Sequence, residues 1–142
     1  MTARRLAIVA ALFFIAFLLL PFASQVVWDG FFPLDLEIIA TEPIEPDLFI
    51  APCRRIEEVE HALAKGRHGE VSFRRAERME EGRYLIAVPA SGRTGPFEME
   101  LSYYEPPFLV LEFRLAAEST PRRKRVDVPP GRGPRSVQVT LP

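Results

Sequence analysis

The sequence predicts a single N-terminal transmembrane helix followed by a mainly-β antiparallel sandwich of about seven strands, with one short amphipathic helix. Three observations carry this. Leu6 to Val27 is a run without any charged residue. Downstream, apolar and polar residues alternate in short stretches punctuated by proline, which has no N–H and is excluded from helix interiors and central strands. Residues 54–65 alone repeat at helical spacing.

The N-terminal run has 22 residues, of which only Ser24 and Gln25 are strongly polar. As a helix it would extend about 33 Å, close to the ~30 Å of bilayer hydrocarbon. Arg4 and Arg5 precede it. Beyond it come Asp29, Asp35, Glu37, Glu42, Glu45 and Asp47, with no Lys or Arg before Arg54. Positive charge stays cytoplasmic, so the reading is a single-pass membrane protein with its N-terminus inside and the rest extracytoplasmic. Trp28, Phe31 and Phe32 suit an interfacial belt. Cleavage after Ala23 or Ser24 would put Pro21 or Phe22 where a small residue is wanted, which favours a retained anchor. The alternative is a secreted sandwich cut near residue 24. Pro21 opposes the anchor, because it can end or kink the helix early. The domain reading is 1–29 for stub and anchor, 30–33 for a linker and 34–142 for the sandwich.

Leu34, Leu36, Ile38 and Ala40 share one face of a first strand, and Leu48–Ala51 make a brief second. In RRIEEVEHALAK (54–65), Ile56, Val59, Ala62 and Leu63 form one helical face between Pro52 and Gly66. Period two returns at Val71 and Phe73, then at Tyr84, Ile86 and Val88 after a turn at 79–82. Phe97, Met99, Leu101 and Tyr103 alternate with Glu98, Glu100 and Ser102. Leu109, Leu111, Phe113 and Leu115 follow, then Val126 and Val128, then Val137, Val139 and Leu141. SGRTGP and PGRGP read as proline-flanked turns. The expected core is Leu36, Ile38, Phe73, Tyr84, Ile86, Val88, Phe97, Met99, Leu101, Leu109, Leu111, Phe113, Val137 and Val139.

The stretch GEVSFRRAERMEEGRYLIAVPASG and the terminal VDVPPGRGPRSVQVTLP, within residues 69–142, resemble the carboxypeptidase-regulatory-like or transthyretin-like sandwich of bacterial envelope proteins. The shared pattern is Gly-x-Val-x-Phe, a turn, Gly-x-Tyr-x-Ile-x-Val-Pro-Ala, and a closing Val-x-Val strand. The resemblance implies an accessory or binding module without chemistry of its own.

No catalytic motif stands out. Glu57, Glu58, His61 and His68 cluster, but a Glu-x-x-His metal site needs a second copy that the chain lacks. Cys53 is the only cysteine, so no intrachain disulfide forms, and nothing in the sequence activates it as a nucleophile. No glycine-rich stretch has the strand–loop–helix setting that cradles phosphate. We therefore expect no enzyme and assign no catalytic, metal or cofactor residue. A metal-binding or enzymatic domain using 54–68 stands behind this as an alternative.

Two groups are candidates for interaction. Arg122, Arg123, Lys124, Arg125, Arg132 and Arg135 place six positive charges in 14 residues, against Asp127 alone. They suit either a solvated edge strand or contact with an anionic surface. No aromatic residues interleave with them as stacking platforms, so nucleic acid is not expected. Tyr103, Tyr104 and Phe108, with Pro106 and Pro107, form an aromatic–proline corner suited either to hairpin packing or to a protein partner. The function expected is a membrane-anchored, extracytoplasmic interaction or accessory module, as a small subunit of a membrane complex. Its expected partners are the bilayer through residues 6–27 and a protein of the membrane or envelope.

Overall fold

Alternation sets the strands of the fold, whereas proline does not cut them as the sequence suggests: Pro33, Pro52 and Pro89 lie within the strands Val26–Ala40, Phe49–Cys53 and Arg83–Thr94. In a computed structural model, residues 2–23, 25–64 and 72–142 are described, with backbone alone for 20–23. The chain is mainly β, and its described elements are α1 (Ala3–Ala23), β1 (Val26–Ala40), β2 (Phe49–Cys53), α2 (Ile56–Ala64), β3 (Arg74–Arg75), β4 (Glu77–Glu80), β5 (Arg83–Thr94), β6 (Glu100–Tyr104), β7 (Phe108–Phe113), β8 (Arg122–Asp127) and β9 (Arg135–Leu141). They fall into two compact units: Met1–Asp29 with Ser91–Tyr104, and Gly30–Ala90 with Glu105–Pro142.

The larger unit is a β-sandwich. One sheet has the order β4-β5-β1-β9 and the other β3-β2-β7-β8. Alternation fills the space between them. Leu34, Leu36 and Ile38 from β1, Tyr84, Ile86 and Val88 from β5, Leu109, Leu111 and Phe113 from β7, and Val139 and Leu141 from β9 lie in one buried cluster. Each side chain of this size stabilises the fold by about 1.5–3 kcal/mol when removed from water. The pairs β2–β3, β2–β7, β4–β5, β5–β6 and β7–β8 are antiparallel, whereas the outer strand β9 runs parallel to β1, with Leu36 opposite Val137 and Ile38 opposite Val139. That pair brings the end of the chain beside its first strand. Gly82, at φ +73, turns the chain between β4 and β5, and its carbonyl accepts the Ile38 N–H at 2.7 Å.

The opposite face of the second sheet carries α2. Val59 and Ala62 are buried against Ala51, Cys53 and Val110, with Phe73 and Phe108 packed beside them. β7 thus serves both layers, Leu109 and Leu111 pointing to the inner core and Val110 to the helix. Helical spacing selects the right face of α2, but Ile56 and Leu63 remain 42% and 40% exposed. A carboxylate oxygen of Glu58 accepts the Arg54 N–H at 2.6 Å, which folds the chain preceding the helix back onto its first turn. Val71, Gly66 and His68 lie outside the described residues.

The smaller unit contains α1 and a hairpin in which the end of β5 pairs with β6, Ser91 opposite Tyr104 and Gly92 opposite Tyr103. Here the sequence reading is corrected most. The expected transmembrane helix is not present: no helix among the described residues is long and apolar enough to cross a membrane. The uncharged run 6–27 is not one helix, since α1 ends at Ala23 and Val26 and Val27 already belong to β1. Arg4 and Arg5 occupy the first turn of α1, and Pro21 its last. The localisation as a single-pass protein with its N-terminus cytoplasmic falls with that helix. Residues 30–33 lie within β1.

The core reading is corrected at the same unit. Phe97 is 93% exposed, Met99 47% and Leu101 38%. The strand expected from Phe97 begins only at Glu100, because Phe97 and Glu98 form the turn. SGRTGP is not one turn: Ser91 to Thr94 continue β5, and the chain reverses after Gly95.

Candidate interaction surfaces

The basic run lies on β8, the outer strand of the second sheet, paired in register with β7 from Phe108–Asp127 to Phe113–Arg122. Pairing on β7 directs each cation to a different neighbour. Arg123 is the most enclosed of the four. Its Nε donates to Glu112 at 2.9 Å, its Nη1 to the Ala62 carbonyl at 2.5 Å, and its guanidinium covers the Phe73 ring at 4.8 Å. It therefore ties α2 to the sheet at a carbonyl of the last helical turn, where positive charge is favoured. Arg122 donates to both Glu118 oxygens, which raises the Arg122 pKa and holds the Glu118 carboxyl below its usual range. Arg125 pairs with Asp127 at 3.0 Å and lies over the Phe108 ring at 4.2 Å. Lys124 donates to the Thr140 carbonyl of β9 at 2.6 Å, so one backbone acceptor of an outer strand is occupied.

Arg135 is the buried member of the set, 8% exposed at the start of β9. Its Nη1 donates to both oxygens of Glu105, at 3.0 and 2.9 Å, and to the Pro129 carbonyl at 2.8 Å. Its Nε and Nη2 are buried without a hydrogen-bond partner among the described residues. Arg132 sits exposed in the turn that precedes β9. Thus the structure brings Arg125 of the basic run together with Phe108 of the aromatic corner, and places Arg135 in a separate ion pair.

Tyr103 and Tyr104 belong to the smaller unit and Phe108 to the larger. Tyr103 stacks on Trp28, ring centroids 6.0 Å apart and planes 29° from parallel. Gly92 makes this stack possible: a Cβ there would lie 2.6 Å from the Ser102 carbonyl oxygen and 2.7 Å from the Trp28 ring. Tyr104 is 38% exposed. The hairpin closes through the Gly95 N–H to the Met99 carbonyl at 2.7 Å and the Met99 N–H to the Pro96 carbonyl at 3.3 Å. Between them Phe97 and Glu98 have φ of 60° and 56°. Both central residues of a type I′ turn need positive φ, which Asn-Gly supplies cheaply and a bulky residue does not.

The largest apolar surface is α1 itself. Residues 2–19 are exposed throughout, among them Leu6, Ile8, Val9, Leu12, Phe13, Phe14, Ile15, Phe17, Leu18 and Leu19 at 41–75%. These positions cover every side of the helix at 100° per residue. Among the chemistry-bearing residues, Cys53 is fully buried, and burial, with the Glu58 charge second, pushes its thiol up to about 11. Among the described residues no three His, Cys, Asp or Glu side chains gather as metal ligands would. An open cleft of about 500 Å³, lined by Pro46, Asp47, Arg75, Ala76, Glu77 and Arg78, is spanned by the Arg75–Asp47 pair at 2.6 Å.

Sequence reasoning missed Phe97, Gly92 and the acidic partners Glu105 and Glu112. The Gly95-Pro96 dipeptide, a turn signal, is the mark by which Phe97 could have been found. No family model, no curated protein and no solved structure matches the chain.

Proposed function

We propose that the protein is an interaction or accessory module: a β-sandwich that attaches to a larger apolar body through its smaller unit. One observation carries the reading, the exposure of ten large apolar side chains on all sides of α1. A helix apolar all round is stable where apolar matter encloses it. Leaving such side chains in water costs about 1.5–3 kcal/mol each, and the described residues of this chain do not cover them. The resemblance of residues 69–142 to transthyretin-like modules of the envelope supports the same reading. So does the charged surface, where Arg122, Arg123 and Arg125 are engaged by Glu118, Glu112 and Asp127.

The experiment is the size of the native particle. Full-length protein from its own cells, compared with Leu12→Ser/Phe14→Ser/Phe17→Ser, is run through size-exclusion chromatography after gentle extraction. The reading expects the wild type in a particle well above its 16.1 kDa and the triple variant released from it. A wild-type chain that elutes alone contradicts it.

A further inference from the structure

The β5–β6 hairpin carries a second apolar feature in the smaller unit, and it has a direction. Phe97 projects from the tip, 93% exposed, on two consecutive residues held in the left-handed region. Each such residue costs about 1–2 kcal/mol, and strain of this kind persists where the surrounding structure has a use for it. Met99, Leu101 and Tyr103 follow at alternate positions back from that tip, across a β-bulge at which Ser102 faces Arg93 and Glu100 faces Thr94. Gly95 leaves room beneath Leu101, and Gly92 beneath Trp28, which stacks on Tyr103. The row is therefore graded: apolar Phe97, Met99 and Leu101 first, then the amphipathic Tyr103 and Trp28.

From this grading we infer that the hairpin tip dips into an electrically neutral lipid surface, without crossing it. The inference rests on reading the smaller unit as the attachment surface. Amphipathic aromatics prefer the boundary between headgroups and acyl chains, and purely apolar side chains prefer the layer beneath. From Leu101 to Glu98 at the tip is about 10 Å at 3.4 Å per residue, the upper end of the ~5–10 Å to which surface-bound apolar faces sink. Charge selects the surface. Glu98 and Glu100 flank the tip against Arg93 alone, so an anionic bilayer repels it and a zwitterionic one does not.

The test uses the full chain and vesicles of phosphatidylcholine, with and without phosphatidylserine. Phe97→Cys is labelled with an environment-sensitive fluorophore. The label is selective, because Cys53 is fully buried with its thiol pushed up to about 11. In parallel, wild type, Phe97→Ser and Phe97→Leu are compared by vesicle flotation, with Trp28 emission in detergent as a check on the hairpin fold. The expected result is a blue shift of the label on phosphatidylcholine, weakened by phosphatidylserine. Flotation should fall at least tenfold for Phe97→Ser and be largely kept by Phe97→Leu. If all three float alike while the label stays aqueous, α1 alone holds the lipid; that overturns this inference and leaves the interaction module standing. If no vesicle is bound, the tip meets a protein and the lipid assignment is overturned.

Discussion

Arg135 and Glu105 are joined by an ion pair whose side chains are only 5% and 13% exposed, with both carboxylate oxygens facing a single guanidinium nitrogen. The pair links the start of β9 to the residue preceding the Pro106-Pro107 turn. Such a pair is fragile in one direction. Removing one partner takes the opposite charge away from a buried group, which costs about 3–5 kcal/mol, whereas replacing both by apolar residues is often neutral or stabilising. Glu105→Leu and Arg135→Met should each lower stability by about 3 kcal/mol or more. The double variant should recover most of the loss, because it also removes the orphaned Nε and Nη2. Urea unfolding of the four proteins measures the coupling; equal losses that simply add would contradict it.

Gly92 is predicted to tolerate no side chain. A Cβ at 2.6 Å from the Ser102 oxygen and 2.7 Å from the Trp28 ring forces one of them to move. Gly92→Ala should shift the emission of Trp28, the only tryptophan, and lower the thermal midpoint. Gly133, with open space around its Cβ, is the matched control, and its alanine variant should leave the emission unchanged.

The turn at Phe97-Glu98 should release stability when its residues suit their backbone. Phe97→Asn with Glu98→Gly replaces two strained positions by the pair that a type I′ turn prefers, a gain of about 1 kcal/mol or more. A thermal midpoint that does not rise would show that positive φ at these residues costs nothing.

The four cations of β8 are predicted to differ sharply although they are adjacent. Arg123→Ser loses Glu112, the Ala62 carbonyl and the Phe73 ring together, which should cost about 2 kcal/mol. Arg122→Ser breaks an exposed pair and should leave the unfolding midpoint in place. Denaturation of the two variants side by side separates the roles; equal effects would mean that Arg123 does not hold α2.

Cys53 sets a prediction in pH. Its folded pKa, about 11, lies above the 9.0 of the free thiol, so the folded state holds the proton more tightly. Its contribution is complete below pH 9 and is lost as pH rises through about 11. Cys53→Ala should flatten that alkaline loss, and the wild-type thiol should resist thiol reagents at pH 8 until the protein unfolds.

Much of the sandwich was legible because one face of each strand is buried and period two survives in the sequence. Leu34, Leu36 and Ile38, then Tyr84, Ile86 and Val88, then Leu109, Leu111 and Phe113 follow it without a break. Pattern says nothing about which strands pair, so the parallel union of β1 with β9 could not be read. Phe97 misled because apolar alternation continued through Phe97, Met99 and Leu101 although the chain reverses at Phe97-Glu98. The apolar run 6–27 misled because an uncharged stretch fits helix and strand alike, and the structure divides it between α1 and β1. The basic run was visible as charge, but charge alone does not show that Glu118, four residues before Arg122, and Glu112, 11 residues before Arg123, engage it.

The central claim is that apolar matter from outside this chain encloses α1. Cysteine accessibility in intact cells tests it most directly, with single substitutions at Leu12, Phe13, Phe14 and Ile15, which are exposed and, 100° apart in succession, point to different sides of the helix. Buried Cys53 supplies a silent background. The account predicts that a membrane-impermeant and a membrane-permeant water-soluble thiol reagent both fail at all four positions and succeed after denaturation. Ready modification at all four in the native cell would place α1 in water and contradict it.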